Sequence, residues 1–105
     1  MKKQYVFVST FNGATLMPGY VGTKGLAVTS EVGFDYEPTK RWIVTHVGTG
    51  LSIKNGAPFP TFKEAKNYLV AAEPLANWRK LTRPSKRLKQ RMTKLMTVFN
   101  RAMLA

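Results

Sequence analysis

The 105-residue chain has no cysteine, one histidine and only five carboxylates. The missing cysteine excludes disulfides and thiolate metal sites and fits a reducing compartment, the cytoplasm. His46 stands alone, so a zinc site lacks its usual second histidine or cysteine. Serines and threonines occur without a nucleophile elbow, so no catalytic triad is legible. No apolar run approaches the roughly 20 residues that span a bilayer. The stretch Tyr5–Val8 after Lys2 and Lys3 is too short for a signal peptide and passes into Ser9 and Thr10.

The scarcity of acids is uneven. Residues Arg79 to Ala105 hold nine lysines and arginines and no acid, whereas the other 78 residues hold eight basic and five acidic residues. Three-quarters of the net charge of +12 therefore sits in the last quarter of the chain. Such a field attracts polyanions, and nucleic acid is the densest fixed anion available. The candidate phosphate-contacting residues are Arg79, Lys80, Arg83, Lys86, Arg87, Lys89, Arg91, Lys94 and Arg101.

What is present argues for one folded domain: 44% of residues are hydrophobic and 11% aromatic. Residues 4–11 read as a strand, Asn12-Gly13 as a hairpin turn and Ala14–Met17 as a weak return strand. Pro18–Gly25, with its glycines, reads as a loop and Leu26–Ser30 as a short strand. In Glu31–Glu37 the residues Val32, Phe34 and Tyr36 alternate with polar neighbours, the period of a strand. Pro38-Thr39 then turns the chain, Arg41–Val47 is the strongest strand, Gly48-Thr49-Gly50 turns again, and Leu51–Lys54 pairs back. A sheet-forming part over residues 1–56 is thus expected, as an antiparallel meander of four or five short strands.

After Asn55-Gly56 the period changes. Thr61 and Glu64 form a capping box, and Phe62, Ala65, Leu69 and Ala72 share one helical face. Pro74 ends this helix or opens a second, which Leu75, Trp78 and Leu81 suggest. From Ser85 to Leu104 one long helix follows, about 30 Å in length. Strands first and helices last define an α+β chain, with two or three helices on one face of the sheet in residues 61–105.

In the last helix Leu88, Met92, Leu95, Met96, Phe99 and Met103 fall within about 100° of arc, and lysines and arginines fill the rest. No carboxylate stands three or four residues away to relieve the repulsion, a cost that argues for use of the charge. The stripe reads first as core, second as a dimer or partner interface and third as a membrane-surface face. The segments 75–81 and 85–104 could pair as a helix-turn-helix. Few base readers stand on the last helix beyond Gln90, Asn100 and the arginines, so modest sequence specificity is expected.

Other signals are weaker. Gly19-Tyr20-Val21-Gly22 spells a KH-type GXXG without the helices that flank one, and Gly22–Gly25 lacks the spacing of a phosphate loop. Glu31, Asp35 and Glu37 are too spread for a two-metal site and are better used in pairing with Lys40 or Arg41. His46 reads as a satisfied structural histidine and Trp78 as buried, with stacking on a base as its alternative. Phe59-Pro60-Thr61-Phe62-Lys63-Glu64-Ala65, following the Trp42 strand, loosely resembles the strand-to-helix passage of AP2-type and integrase N-terminal DNA-binding domains. The resemblance spans about twenty residues and implies the sheet as a DNA-reading surface, with Lys40, Arg41 and Lys54 as its basic residues.

The expected function is a small non-enzymatic nucleic-acid-binding protein without cofactor or metal, with duplex DNA favoured over RNA. Its rival is a regulator or inhibitor, of phage or mobile-element type, that docks the basic helix on an acidic protein. A membrane role ranks last, and a homodimer is compatible with the apolar stripe.

Overall fold

A computed structural model of the chain describes residues 1–10, 13–53, 58–81 and 86–104, without the side chains of Met96 and residues 99–104. The chain is α+β. Four strands, β1 (Lys2–Thr10), β2 (Gly13–Val21), β3 (Leu26–Val32) and β4 (Pro38–His46), form one antiparallel sheet in sequential order. Helix α1 (Phe62–Ala72), a single 3-10 turn (Glu73–Leu75) and helix α2 (Lys86–Leu104) follow.

Several sequence expectations need correction. Pro18–Val21 belongs to β2, which pairs with β1 along nine residues. Proline is tolerated because β3 pairs with β2 only from Gly19 to Val21, so Pro18 stands just outside that ladder. Gly19 is needed where the strands crowd: a Cβ there would lie 2.8 Å from the Val28 carbonyl oxygen. The GXXG tetrapeptide is therefore strand and strand end, with no flanking helices. Gly13, expected in the hairpin turn, belongs to β2 and pairs with Thr10, and Asn12 lies outside the described residues.

Glu31–Glu37 is not a separate strand. Glu31 and Val32 end β3, Val32 pairs with Pro38, and the residues between form the β3–β4 turn. Tyr36 takes a left-handed φ of 62°, the Gly33 N–H donates to the Glu37 carbonyl, and the Asp35 carboxylate accepts from the Glu37 N–H. Phe34 is fully exposed at the tip. Pro38-Thr39, expected as the turn, instead opens β4.

The expected helix over Leu75–Leu81 is also absent, and a 3-10 turn and a turn closed by Lys80 N–H on the Asn77 carbonyl take its place. Without that helix the segment makes no helix-turn-helix pair. The return segment 51–54 makes isolated bridges rather than a strand: Ser52 pairs with Thr45, and farther on Phe59 pairs with Trp42. Lys54 lies outside the described residues.

Burial explains the architecture. On one sheet face Leu26, Val28 and Val44 meet α1 through Ala65, Tyr68, Leu69 and Ala72, with Phe59, Trp78 and Leu88 completing the core. The α1 N-terminus is capped as expected, the Thr61 hydroxyl accepting the Glu64 N–H at 3.2 Å. On the opposite face Val6, Val8, Met17, Ala27, Thr29 and Thr45 are buried, with no helix over them among the described residues. The sheet curls to enclose them: the Ser9 N–H donates to the Gly50 carbonyl at 2.8 Å, so the turn after β4 reaches the outer edge of β1. Thr29 and Thr45 bond to each other through their hydroxyls inside the curl. The face opposite α1, which the AP2- and integrase-type resemblance implies as the reading surface, is thereby closed over its centre.

Tyr68 lies in the core, and burial pushes its hydroxyl from 10.0 up to about 12. The folded chain therefore keeps this proton while the unfolded chain loses it above pH 10. Stability is intact below pH 10 and falls as pH rises toward 12, by about 3 kcal/mol at 1.36 kcal/mol per unit. Denaturant titration of Tyr68→Phe beside the parent chain should show the phenylalanine variant gaining relative stability across pH 10–12. A constant difference between the two would contradict this.

Candidate nucleic-acid interface

Helix α2 follows the apolar periodicity of its sequence. Leu88 is buried, and Met92 and Leu95 pack partly buried against the core. At 100° per residue these three sit within about 60° of one another. Lys86, Arg87, Lys89, Arg91 and Lys94 are all exposed. Lys86, Gln90, Thr93, Lys94 and Thr97 lie nearest the pole opposite the buried stripe, with Arg87 beside them. Lys89 and Arg91 flank the two edges.

The electrostatics are one-sided. No carboxylate occurs on α2, and among the described residues the ion pair present is Arg41–Glu31 at 3.3 Å, at the far end of the sheet. Arg91 is the one cation of α2 with a fixed partner among the described residues: its guanidinium donates to the Leu75 carbonyl at 3.1 Å, pinning α2 to the 3-10 turn. Thr93 and Thr97 donate their hydroxyls to the carbonyls one turn back, at Lys89 and Thr93. Among the described side chains of α2, Gln90 and Arg87 remain able to read a base edge.

Arg79 and Lys80 are exposed on the turn that follows Trp78, and a buried polar clasp sets their place. The Trp78 indole N–H donates to the Ala72 carbonyl at 2.9 Å. His46 Nε2 lies 2.6 Å from the Trp78 carbonyl oxygen, and Nδ1 lies 2.8 Å from the Thr49 hydroxyl. A carbonyl only accepts, so Nε2 carries the proton toward Trp78. His46 is thus the structural histidine that its strand position suggests. Among the described residues no group of acids and histidine could hold a metal ion. Glu31 pairs with Arg41 and accepts from the Thr39 hydroxyl, and Asp35 caps its own turn.

The structure thus brings six of the nine expected cations onto one helix, five of them with described side chains, and places Arg79 and Lys80 on a turn before it. Arg83 lies outside the described residues, and of Arg101 only the helical backbone is described.

Lys24 is a residue that the sequence alone does not reveal. Gly25, with φ of 96°, packs so closely on Trp78 and Arg79 that a Cβ would lie 3.0 Å from the Arg79 nitrogen. The exposed Lys24 precedes this contact directly, so its backbone lies near that of Arg79, 55 residues away in sequence. No pattern in Gly22–Gly25 announces that packing.

Among the described residues no helix is long and apolar enough to cross a membrane. No family model matches the chain, and no curated protein or solved structure is significantly similar to it.

Proposed function

We propose that this chain is a small, non-enzymatic nucleic-acid-binding protein that grips the phosphate backbone with the solvent side of α2, assisted by Arg79 and Lys80. One observation carries the reading. Leu88, Met92 and Leu95 turn to the core, and the exposed remainder of the described side chains presents Lys86, Arg87, Lys89, Arg91 and Lys94 without a carboxylate among them. Such a surface suits a dense polyanion, and duplex DNA is its favoured form. Arg83 and Arg101 join the set on sequence alone. Sequence specificity is modest, because the outward threonines spend their donors on the helix backbone.

Binding to a 25-base-pair duplex at 50 and 200 mM salt tests the reading. Five phosphate contacts give a slope of log K against log[salt] near −4.5, so affinity should fall roughly 500-fold over that range. No binding at 50 mM, or a drop of only a few-fold, would refute it. The rival, an acidic protein as partner, would show as a stoichiometric protein retained after nuclease treatment while the duplex fails to bind.

A further inference from the structure

We infer a second nucleic-acid surface, on the uncovered half of the sheet formed by β1 and β2, that takes the bases of a single strand. Alternation on β1 runs against the usual preference: the aliphatic Val6 and Val8 are enclosed by the curl, and the larger Tyr5 and Phe7 point out, 70% and 62% exposed. Leu16, paired with Phe7 on β2, is 48% exposed on the same face. Helix α1 covers β3 and β4 on this side and reaches only as far as Tyr20, whose ring meets Phe62 edge-on at 4.8 Å. Beyond Tyr20 the face is open among the described residues. Exposed apolar surface gathered in one patch marks a binding site more often than scattered residues do.

Charge identifies the occupant. The first thirty residues contain no carboxylate. Lys3 shares the face of Tyr5 and Phe7, and the exposed Lys66 lies on the stripe of α1 that carries Phe62, Leu69 and Glu73 along its border. Glu73 itself sits against Gly22, past Tyr20 at the end of β2. Flat apolar rings flanked by Lys3 and Lys66, with Glu73 the one carboxylate on that border and set at its far end beside Gly22, fit a ligand with flat apolar faces and a negative backbone, which is an unpaired polynucleotide. Tyr5 and Phe7 are two residues apart on a strand, about 7 Å. That is twice the 3.4 Å base spacing of a stacked strand, so an extended strand can lay one base on each ring. The bases of a duplex are hidden in its stack and cannot use these rings, so this surface is distinct from α2. The proposal rests on the reading of the chain as a nucleic-acid binder, but not on which helix residues meet phosphate.

The test compares the full chain with Tyr5→Ala/Phe7→Ala, using a 15-nucleotide oligothymidine and a duplex as separate probes, with melting temperature as the check on folding. Stacking is worth about 1–3 kcal/mol per base, so the double variant should bind oligothymidine at least roughly 30-fold more weakly. Duplex affinity should stay within about twofold, and the salt slope for oligothymidine should not change, because no charge is removed. Tyr5→Phe, which keeps the ring, should bind like the parent. Equal oligothymidine binding by the parent and the double-alanine variant would overturn the inference. So would sedimentation showing a parent dimer that the variant loses, because a second copy would then cover the face. Duplex binding without oligothymidine binding would remove this inference and leave the α2 reading standing, whereas failure of both probes would remove both.

Discussion

A chain carrying Lys86→Gln, Arg87→Gln, Lys89→Gln and Lys94→Gln should lose about three and a half orders of magnitude in duplex affinity at 0.1 M salt. The magnitude follows from counterion release. Each phosphate contact contributes about 0.9 to the salt slope, and at 0.1 M, one decade below the 1 M reference, each contributes about 0.9 decades of affinity. Four contacts then account for about 3.6 decades. Arg91 is left in place because its guanidinium is bonded to the Leu75 carbonyl, so removing it would weaken the attachment of α2 as well as its charge. The four chosen side chains are exposed and have no ion-pair partner among the described residues. Their removal should leave stability unchanged or slightly raised, since like charges on a helix repel. Titration of a labelled duplex reads the affinity, and thermal melting reads the fold. An affinity within tenfold of the parent would place the phosphate contacts elsewhere.

Trp78→Ala should be the most damaging single substitution outside the basic set, at about 4 kcal/mol. Truncating a buried tryptophan removes 3–5 kcal/mol through lost burial and the cavity left behind. Here the Ala72 carbonyl also loses its indole donor in a buried site. A domain of this size holds roughly 5–15 kcal/mol in all, so the variant would be near the edge of folding. At 4–8 °C per kcal/mol its Tm should fall on the order of 20 °C. The damage would not stay local. The Trp78 backbone is the partner of His46 and the packing surface of Gly25, and Leu88 shares its core cluster, so the lysine and arginine turn and the start of α2 both depend on it. A Tm loss under about 5 °C would show that the clasp contributes little.

Much of this architecture was legible where local chemistry and burial agree. The Thr61 cap and the 62–65–69–72 spacing give α1, and the period of Leu88, Met92 and Leu95 gives α2 and its buried side. The failures come from patterns that two structures share. Val32, Phe34 and Tyr36 alternate like a strand, yet Gly33 and Asp35 serve a turn, where the Asp35 carboxylate accepts from the Glu37 N–H and offsets the cost of a left-handed Tyr36. Leu75, Trp78 and Leu81 recur every three residues, but that spacing suits any segment whose side chains are drawn one by one into a core. Trp78 is held there by bonds to Ala72 and His46 rather than by a helix.

The candidate interface divides in the same way. Its charge is a property of composition, and its exposure follows once α2 has one apolar side. The neighbourhood of Lys24 depends on a long-range contact through Gly25 that no local pattern encodes. Alternation on β1 likewise shows two faces without showing which is enclosed. The Ser9–Gly50 bond that curls the sheet decides that Tyr5 and Phe7 face outward.

The most direct measurement is the slope of log K against log[salt] for duplex binding, taken side by side for the parent chain and the four-glutamine variant. A parent slope near −4.5 and a variant slope near −0.9 would place four phosphate contacts on Lys86, Arg87, Lys89 and Lys94. Two parallel lines would show that α2's solvent side does not touch the nucleic-acid backbone.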